Sequence, residues 1–217
     1  MRLILASSSP RRQDLLRAAG FDFDVLASGV EEARLPVETP EAYVRRTASD
    51  KALAVAAIVA ASGATDIFPQ DAFDPAPGPV HDPMSTDAIV LGADTEVVVE
   101  DEILGKPRDT EDASRMLRLL SGRTHRVITG VSLVRPPGRI EALDHETTLV
   151  TFRHLEDEEI RGYVRSGEPF GKAGAYAIQG IASRFATRIE GDYFNIVGLP
   201  VARVYGMLKP FLLHSIE

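Results

Sequence analysis

Leu3-Ile4-Leu5-Ala6-Ser7-Ser8-Ser9-Pro10-Arg11-Arg12-Gln13-Asp14-Leu15-Leu16 opens the chain and sets its architecture. Leu3 to Ala6 reads as a short buried strand, and a helix start follows at once. Ser9 can cap, Pro10 suits the first helical position, and Gly20 suits the stop. Leu15, Leu16 and Ala19 form the helix's apolar stripe. A strand that hands over directly to a helix is the building unit of α/β folds. Its junction also favours anions, because unbonded N–H groups and the positive end of the helix dipole point out of it.

Working outward, Phe21, Phe23 and Val25 alternate with Asp22 and Asp24, as in a strand with one wet face. Thr39-Pro40 starts a second helix, with Tyr43, Val44, Ala48, Leu53, Val55, Ile58 and Val59 on its buried side. Residues 62–88 then change character, with five Pro, two Gly, five Asp and no Lys or Arg. That profile predicts an inserted excursion. Ala88 to Gly92 and Glu96 to Glu100 are β-rich runs flanking Ala93-Asp94-Thr95, and Glu100-Asp101-Glu102 turns back into Ile103-Leu104. A helix is expected from about Glu111 to Leu120, capped by Thr110. Residues 125–135 and 139–153 read as strands joined by Pro136-Pro137-Gly138, and residues 156–166 as a charged helix. Ala175–Ile178, Phe185–Ile189 and Tyr193–Val197 are strand candidates, and Pro200 opens a closing helix. The alternation predicts a mixed α/β fold. At 217 residues the chain favours one compact domain carrying the 62–88 insertion.

Composition narrows function. The 24 Lys and Arg against 32 Asp and Glu give −8, which argues against nucleic-acid polymers and anionic membranes as general partners. Five of the negative charges are Asp66, Asp71, Asp74, Asp82 and Asp87 in the excursion. With no cysteine, thiol catalysis and cysteine metal sites are excluded, and a reducing compartment fits. The longest apolar run, Ala52 to Ala61, is too short to span a bilayer, and the N-terminus lacks a signal-peptide core. The chain reads as soluble and cytoplasmic. The five histidines, at 81, 125, 145, 154 and 214, show no zinc-helix spacing and read as surface or strand residues. Serine-hydrolase, dinucleotide and Walker motifs are absent.

Two constellations can carry chemistry. Ser7-Ser8-Ser9-Pro10-Arg11-Arg12 gathers hydroxyls, a helix dipole and two guanidinium forks, a set suited to polyphosphate. The same residues also read as an N-cap followed by two solvated arginines. Asp94, at the end of an apolar strand, can hold a divalent cation or take a proton from water; it equally reads as a turn or cap residue. Glu31-Glu32 and Lys51 likewise read as solvated acids and a helix-surface lysine.

Five separated stretches carry a resemblance. They are Leu5 to Leu16, Gly92-Ala-Asp-Thr, Leu104-Gly-Lys-Pro, Leu120-Ser-Gly-Arg-Thr-His-Arg-Val-Ile-Thr-Gly-Val and Lys172-Ala-Gly-Ala-Tyr-Ala-Ile-Gln-Gly, with Gly191 to Pro200 in agreement. In order and spacing they resemble the Maf family of nucleoside triphosphate pyrophosphatases. The resemblance implies an ITPase-like α/β fold, with a long central mixed sheet flanked by helices, a cleft, and a cytoplasmic homodimer. It also implies hydrolysis of a small-molecule nucleoside triphosphate to the monophosphate and pyrophosphate with Mg²⁺ or Mn²⁺. Lys172-Ala173-Gly174-Ala175-Tyr176 with Gln179-Gly180 looks like the branch acting on dTTP and UTP. The alternatives are the same chemistry on 7-methyl-GTP or other non-standard nucleotides, and a nucleotide-sensing regulator linked to division arrest.

By that resemblance Asp94 is the proton acceptor, and Glu32 and Asp94 hold the metal. Ser7, Arg11, Arg12, Lys51, Lys106 and Lys172 bind the triphosphate, while Arg11, Thr95 and Gln179 tune base choice. An ordinary aspartate, with a pKa of about 3.9, is a weak base, so a metal-acidified water is the more comfortable partner. Three positions depart from the family pattern. Glu96 replaces a usual Val, as a further metal ligand or a solvent-facing residue; Gly171 replaces a charged residue; Ala177 replaces a Gly.

Overall fold

The computed structural model describes residues 1–61 and 87–213. Its chain order begins with β1 (Arg2–Leu5), α1 (Pro10–Ala18), β2 (Asp24–Val25), α2 (Pro40–Ala61), β3 (Ala88–Val99), β4 (Glu102–Leu104) and α3 (Thr110–Leu120). It continues with β5 (Thr124–Arg135), β6 (Arg139–Phe152), α4 (Asp157–Arg165), β7 (Ala186–Glu190), α5 (Tyr193–Val197) and α6 (Val201–Leu213). The strands form one mixed seven-stranded sheet in the order β2-β1-β3-β5-β6-β7, with β4 added to β3. This is the α/β class with helices between strands.

The chain divides into two compact units. The first comprises Met1–Asp94, Gly130–His145 and Val201–Glu217; the second comprises Thr95–Thr129 and Glu146–Pro200.

In the first unit, β1 pairs in parallel with β2 and with β3, in register from Arg2 opposite Ala88 to Leu5 opposite Leu91. All four β1 residues are buried, which is why the run is continuous in hydrophobicity rather than alternating. Even Arg2 is buried, its Nε donating to Asp24 at 2.6 Å. The core gathers Ile4, Ala6, Ala52, Val55, Ala56, Val59, Ala88, Val90 and Val134. Alanines on α2 let its backbone lie close on the sheet. A Cβ on Gly92 would overlap the Ala48 carbonyl oxygen, and one on Gly130 would overlap the Val44 carbonyl. Both glycines are therefore required by space.

In the second unit, β4 turns back antiparallel on β3, with Val97 opposite Leu104, and β7 pairs antiparallel with β6. The core is aromatic: Phe152 stacks edge-on against His125 and Tyr176, both at 4.9 Å, and Phe185 meets Tyr163 at 5.2 Å. Buried Asn195 ties the end of this unit down, its Nδ2 donating to Val127 O and to Thr148 Oγ1.

Several local expectations are corrected. The two β runs around Asp94 are a single twelve-residue strand, so Asp94 sits within β3 rather than at a strand end. Only Asp24 and Val25 of the Phe21–Val25 stretch pair. Tyr193–Val197 is helical, because the Asp192 side chain accepts from Phe194 N–H at 2.8 Å and Gly198, at φ 133°, stops the turn; five apolar-rich residues suit either state, and the caps decide. The expected strand Ala175–Ile178 does not form: Ala175 closes a 3₁₀ turn, Ala173–Ala175, and residues 176–178 are not strand. Asp109 caps α3, one residue before the expected Thr110. Ile58 is exposed, since Val55 and Val59 take the buried stripe of α2. The excursion at 62–88 lies outside the described residues except for Asp87, paired with Arg135, and Ala88, which opens β3. His81 and His214 also lie outside them.

Candidate active site

In the first unit three of the expected residues meet. Lys51 is not a surface residue: it lies on the stripe of α2 that also buries Thr47, Ala48, Ala52 and Val55, and its side chain is 8% exposed. Its Nζ donates to Asp94 Oδ1 at 2.7 Å and lies 2.6 Å from Glu32 Oε1. Asp94 is 3% exposed, and its second oxygen, Oδ2, is buried without a hydrogen-bond partner. A buried carboxylate oxygen left so is costly unless something comes to it.

Glu32 comes from the loop before α2, and α2 itself holds that loop. Arg46 grips Glu38 with two bonds, at 2.8 and 2.9 Å, and donates to Ala33 O at 2.9 Å. The Arg46 hydrogen bond holds the Glu38 carboxyl below its ordinary value, and Glu38 in turn raises the Arg46 guanidinium. Arg46 was not singled out by sequence; an arginine in a helix carries no sign of its loop partner.

The cluster suits a hard cation. Two carboxylates against one ammonium leave a net negative charge, and their oxygens match the preference of Mg²⁺ and Mn²⁺. No group of three His, Cys, Asp or Glu assembles among the described residues. A cation at Glu32 and Asp94 would thus complete its shell from water and phosphate oxygens, the usual arrangement for Mg²⁺.

The β1–α1 junction keeps an open helix N-terminus. Ser9 sits at the cap position, but its side chain makes no capping hydrogen bond, and the first turn holds no acid. Buried Ser7 accepts from the Ser9 N–H at 3.3 Å and from Arg12 Nη1 at 3.1 Å, which folds the guanidinium back toward the helix start. Arg11 is half-buried, and desolvation lowers its pKa, though a guanidinium remains cationic.

The second unit holds the remaining residues. Thr95 shares a 3.0 Å hydrogen bond with Thr129 and donates to Gly198 O at 3.3 Å. Lys106 is exposed on the loop after β4. Lys172 donates to Glu168 O at 2.5 Å. Gly174 N–H donates to Gly105 O at 3.1 Å, so the Lys172 segment is tied to the loop of Lys106. Gln179 is exposed, between buried Ile178 and half-buried Gly180. Glu96 does not face solvent: it is 6% exposed, and its carboxylate is the atom group nearest a Cβ placed on Gly105, at 4.0 Å. No helix among the described residues is long and apolar enough to cross a membrane.

A family model described as Maf-like protein matches residues 2–211. A dTTP/UTP pyrophosphatase of Koribacter versatilis is 48% identical over 209 residues, covering 96% of this chain and 94% of that protein. The protein of the same name from Vibrio cholerae is 43% identical over 213 residues, 97% and 98% of the two chains. One from Thermoanaerobacter sp. strain X514 is 42% identical, covering 96% of each.

Proposed function

The chain belongs to the Maf family, and from that premise we propose that it is a nucleoside triphosphate pyrophosphatase that hydrolyses dTTP and UTP to the monophosphate and pyrophosphate. Relatives at 42–48% identity over nearly the whole chain carry that name. The observation that carries the chemistry is the buried Asp94, fixed through Oδ1 by Lys51 and left without a hydrogen-bond partner at Oδ2.

Water attacks the α-phosphorus in line; a water oxygen–phosphorus bond forms and the bond to the bridging oxygen of pyrophosphate breaks. Asp94 Oδ2 receives the proton, because Oδ1 is already occupied by the Lys51 ammonium. Lys51 thereby orients the base. Glu32 and Asp94 would hold a divalent cation, which supplies charge neutralisation and a more acidic water. Ser7, Arg11, Arg12, Lys106 and Lys172 bind the triphosphate, the arginines through paired donors and the lysines as point charges. Thr95, Arg11 and Gln179 select the base; the Gln179 amide can both donate to and accept from an imide edge, which suits uracil and thymine. The working form is a cytoplasmic homodimer of single domains, each with the 62–88 insertion, in keeping with the cysteine-free chain and the family resemblance.

The test is pyrophosphate release from dTTP, UTP, CTP, 7-methyl-GTP and ITP with Mg²⁺ or Mn²⁺, for wild type and Asp94→Asn. Turnover of dTTP and UTP, lost in the variant, is expected. Orthophosphate as first product refutes attack at the α-phosphorus, and preference for 7-methyl-GTP refutes the pyrimidine assignment.

A further inference from the structure

Glu168 stands outside every motif quoted above, yet its carboxylate is the knot of the 177–182 segment. Oε1 accepts from the Tyr163 hydroxyl at 2.9 Å and from Ala182 N–H at 3.3 Å, while Oε2 accepts from Ile181 N–H at 3.0 Å. The Tyr163 hydroxyl in turn accepts from Ala177 N–H at 3.2 Å. One carboxylate therefore reaches residues 177, 181 and 182, on both sides of Gln179. The Glu168 main chain adds a further tie, its carbonyl accepting from Lys172 Nζ.

The glycine beside Gln179 is explained by the same group. Gly180 has φ −106°, which any residue adopts, but a Cβ there would overlap the Glu168 carboxylate. Burial pushes the Glu168 carboxyl up, but the Ile181 amide, the Tyr163 hydroxyl, the Ala182 amide and Lys172 together hold it below its ordinary value. It stays an acceptor at neutral pH. Tyr163 is buried, which raises its phenol and keeps it a donor.

An exposed amide on so tightly held a backbone is pre-organised to read a ligand. We propose that Glu168 is a positioning residue for base selection, fixing the 177–182 segment so that Gln179 meets the uracil or thymine edge in one place. This rests on the dTTP/UTP reading above. Glutamine at 168 would turn one acceptor into a donor facing an N–H or O–H, so Glu168→Gln breaks the knot at nearly constant shape.

The experiment compares wild type, Glu168→Gln and Gly180→Ala. It measures KM and kcat for dTTP, UTP and CTP, and deuterium uptake of peptides covering 174–184. Both variants should raise uptake there. KM for dTTP and UTP should rise about tenfold, the effect of one misplaced hydrogen bond, with kcat changed far less and the preference over CTP reduced by a similar factor. Raised uptake with unchanged KM and selectivity overturns the proposal, leaving a purely structural carboxylate; unchanged uptake overturns it as well. Should Glu168→Gln fail to fold, Gly180→Ala decides. A wild type that turns over neither dTTP nor UTP refutes the substrate reading instead, while uptake still judges the anchor.

Discussion

His125 offers a stability test whose size follows from its surroundings. It lies in β5, is 1% exposed and stands edge-on to Phe152 and Tyr176, and Nε2 is 2.9 Å from the Tyr176 hydroxyl. Nδ1 is buried with no hydrogen-bond partner, so a second proton would sit uncompensated in an apolar site. Burial lowers the pKa from 6.5 to about 3. The folded state thus binds fewer protons than the unfolded state between those values. The contribution is complete above the unfolded pKa and is lost as pH falls toward the folded one. At about pH 4.5, some two units below the unfolded value, the loss is about 2.7 kcal/mol at about 1.36 kcal/mol per unit. Urea unfolding followed by circular dichroism, at neutral pH and at about pH 4.5, measures it in wild type and His125→Gln. Glutamine retains a partner for Tyr176 and does not titrate; other groups cancel in the difference. Wild type should lose about 2–3 kcal/mol more than the variant on acidification. Parallel losses in the two proteins refute the argument.

Lys51→Met removes the ammonium between Glu32 and Asp94 and strands a buried carboxylate, at a cost of about 3–5 kcal/mol at neutral pH. The variant's Tm should also gain more from Mg²⁺ or Mn²⁺ than the wild type's, since a cation can then neutralise both acids; a Tm equal to wild type and indifferent to metal contradicts this. Gly92→Ala drives a methyl into the Ala48 carbonyl and against Ala52, neither of which can swing away. An overpacking cost of about 1–3 kcal/mol should lower Tm by several degrees in calorimetry, and an unchanged Tm means α2 does not lie as close as described.

Much of the fold was legible because its signals are local. Pro10 after Ser9, the Thr39-Pro40 start, the Pro136-Pro137-Gly138 turn and the Glu100–Glu102 reversal each act within a few residues, and each appears where expected. Misreadings fell where local signals were balanced. Tyr193–Val197 has residues for either strand or helix, and the Asp192 cap with Gly198 made it α5. For the candidate site, the resemblance to the Maf family, rather than residue type or spacing, brought Asp94, Lys51 and Glu32 forward. The alternative readings of Asp94 as a turn or cap residue and of Lys51 as a helix-surface lysine were lost only when β3 ran on through Asp94 and α2 buried Lys51 against it.

By itself, then, the sequence determined the α/β class and most of the element order, because strand and helix periods, caps and turns act over short spans; the family and the residues at issue came from the resemblance its motifs carry. Tertiary structure alone decided which charges lose their water. Lys51 and Asp94 are 43 residues apart, and their pairing exists because Gly92 and Gly130 let a helix rich in alanine settle directly on the sheet. Glu168 shows the same division. Its type is unremarkable in a polar stretch, and only the folded chain brings Tyr163 and the amides of Ile181 and Ala182 to one carboxylate. Burial and hydrogen bonding between distant segments are properties of the packed chain, and no short window of residues encodes them.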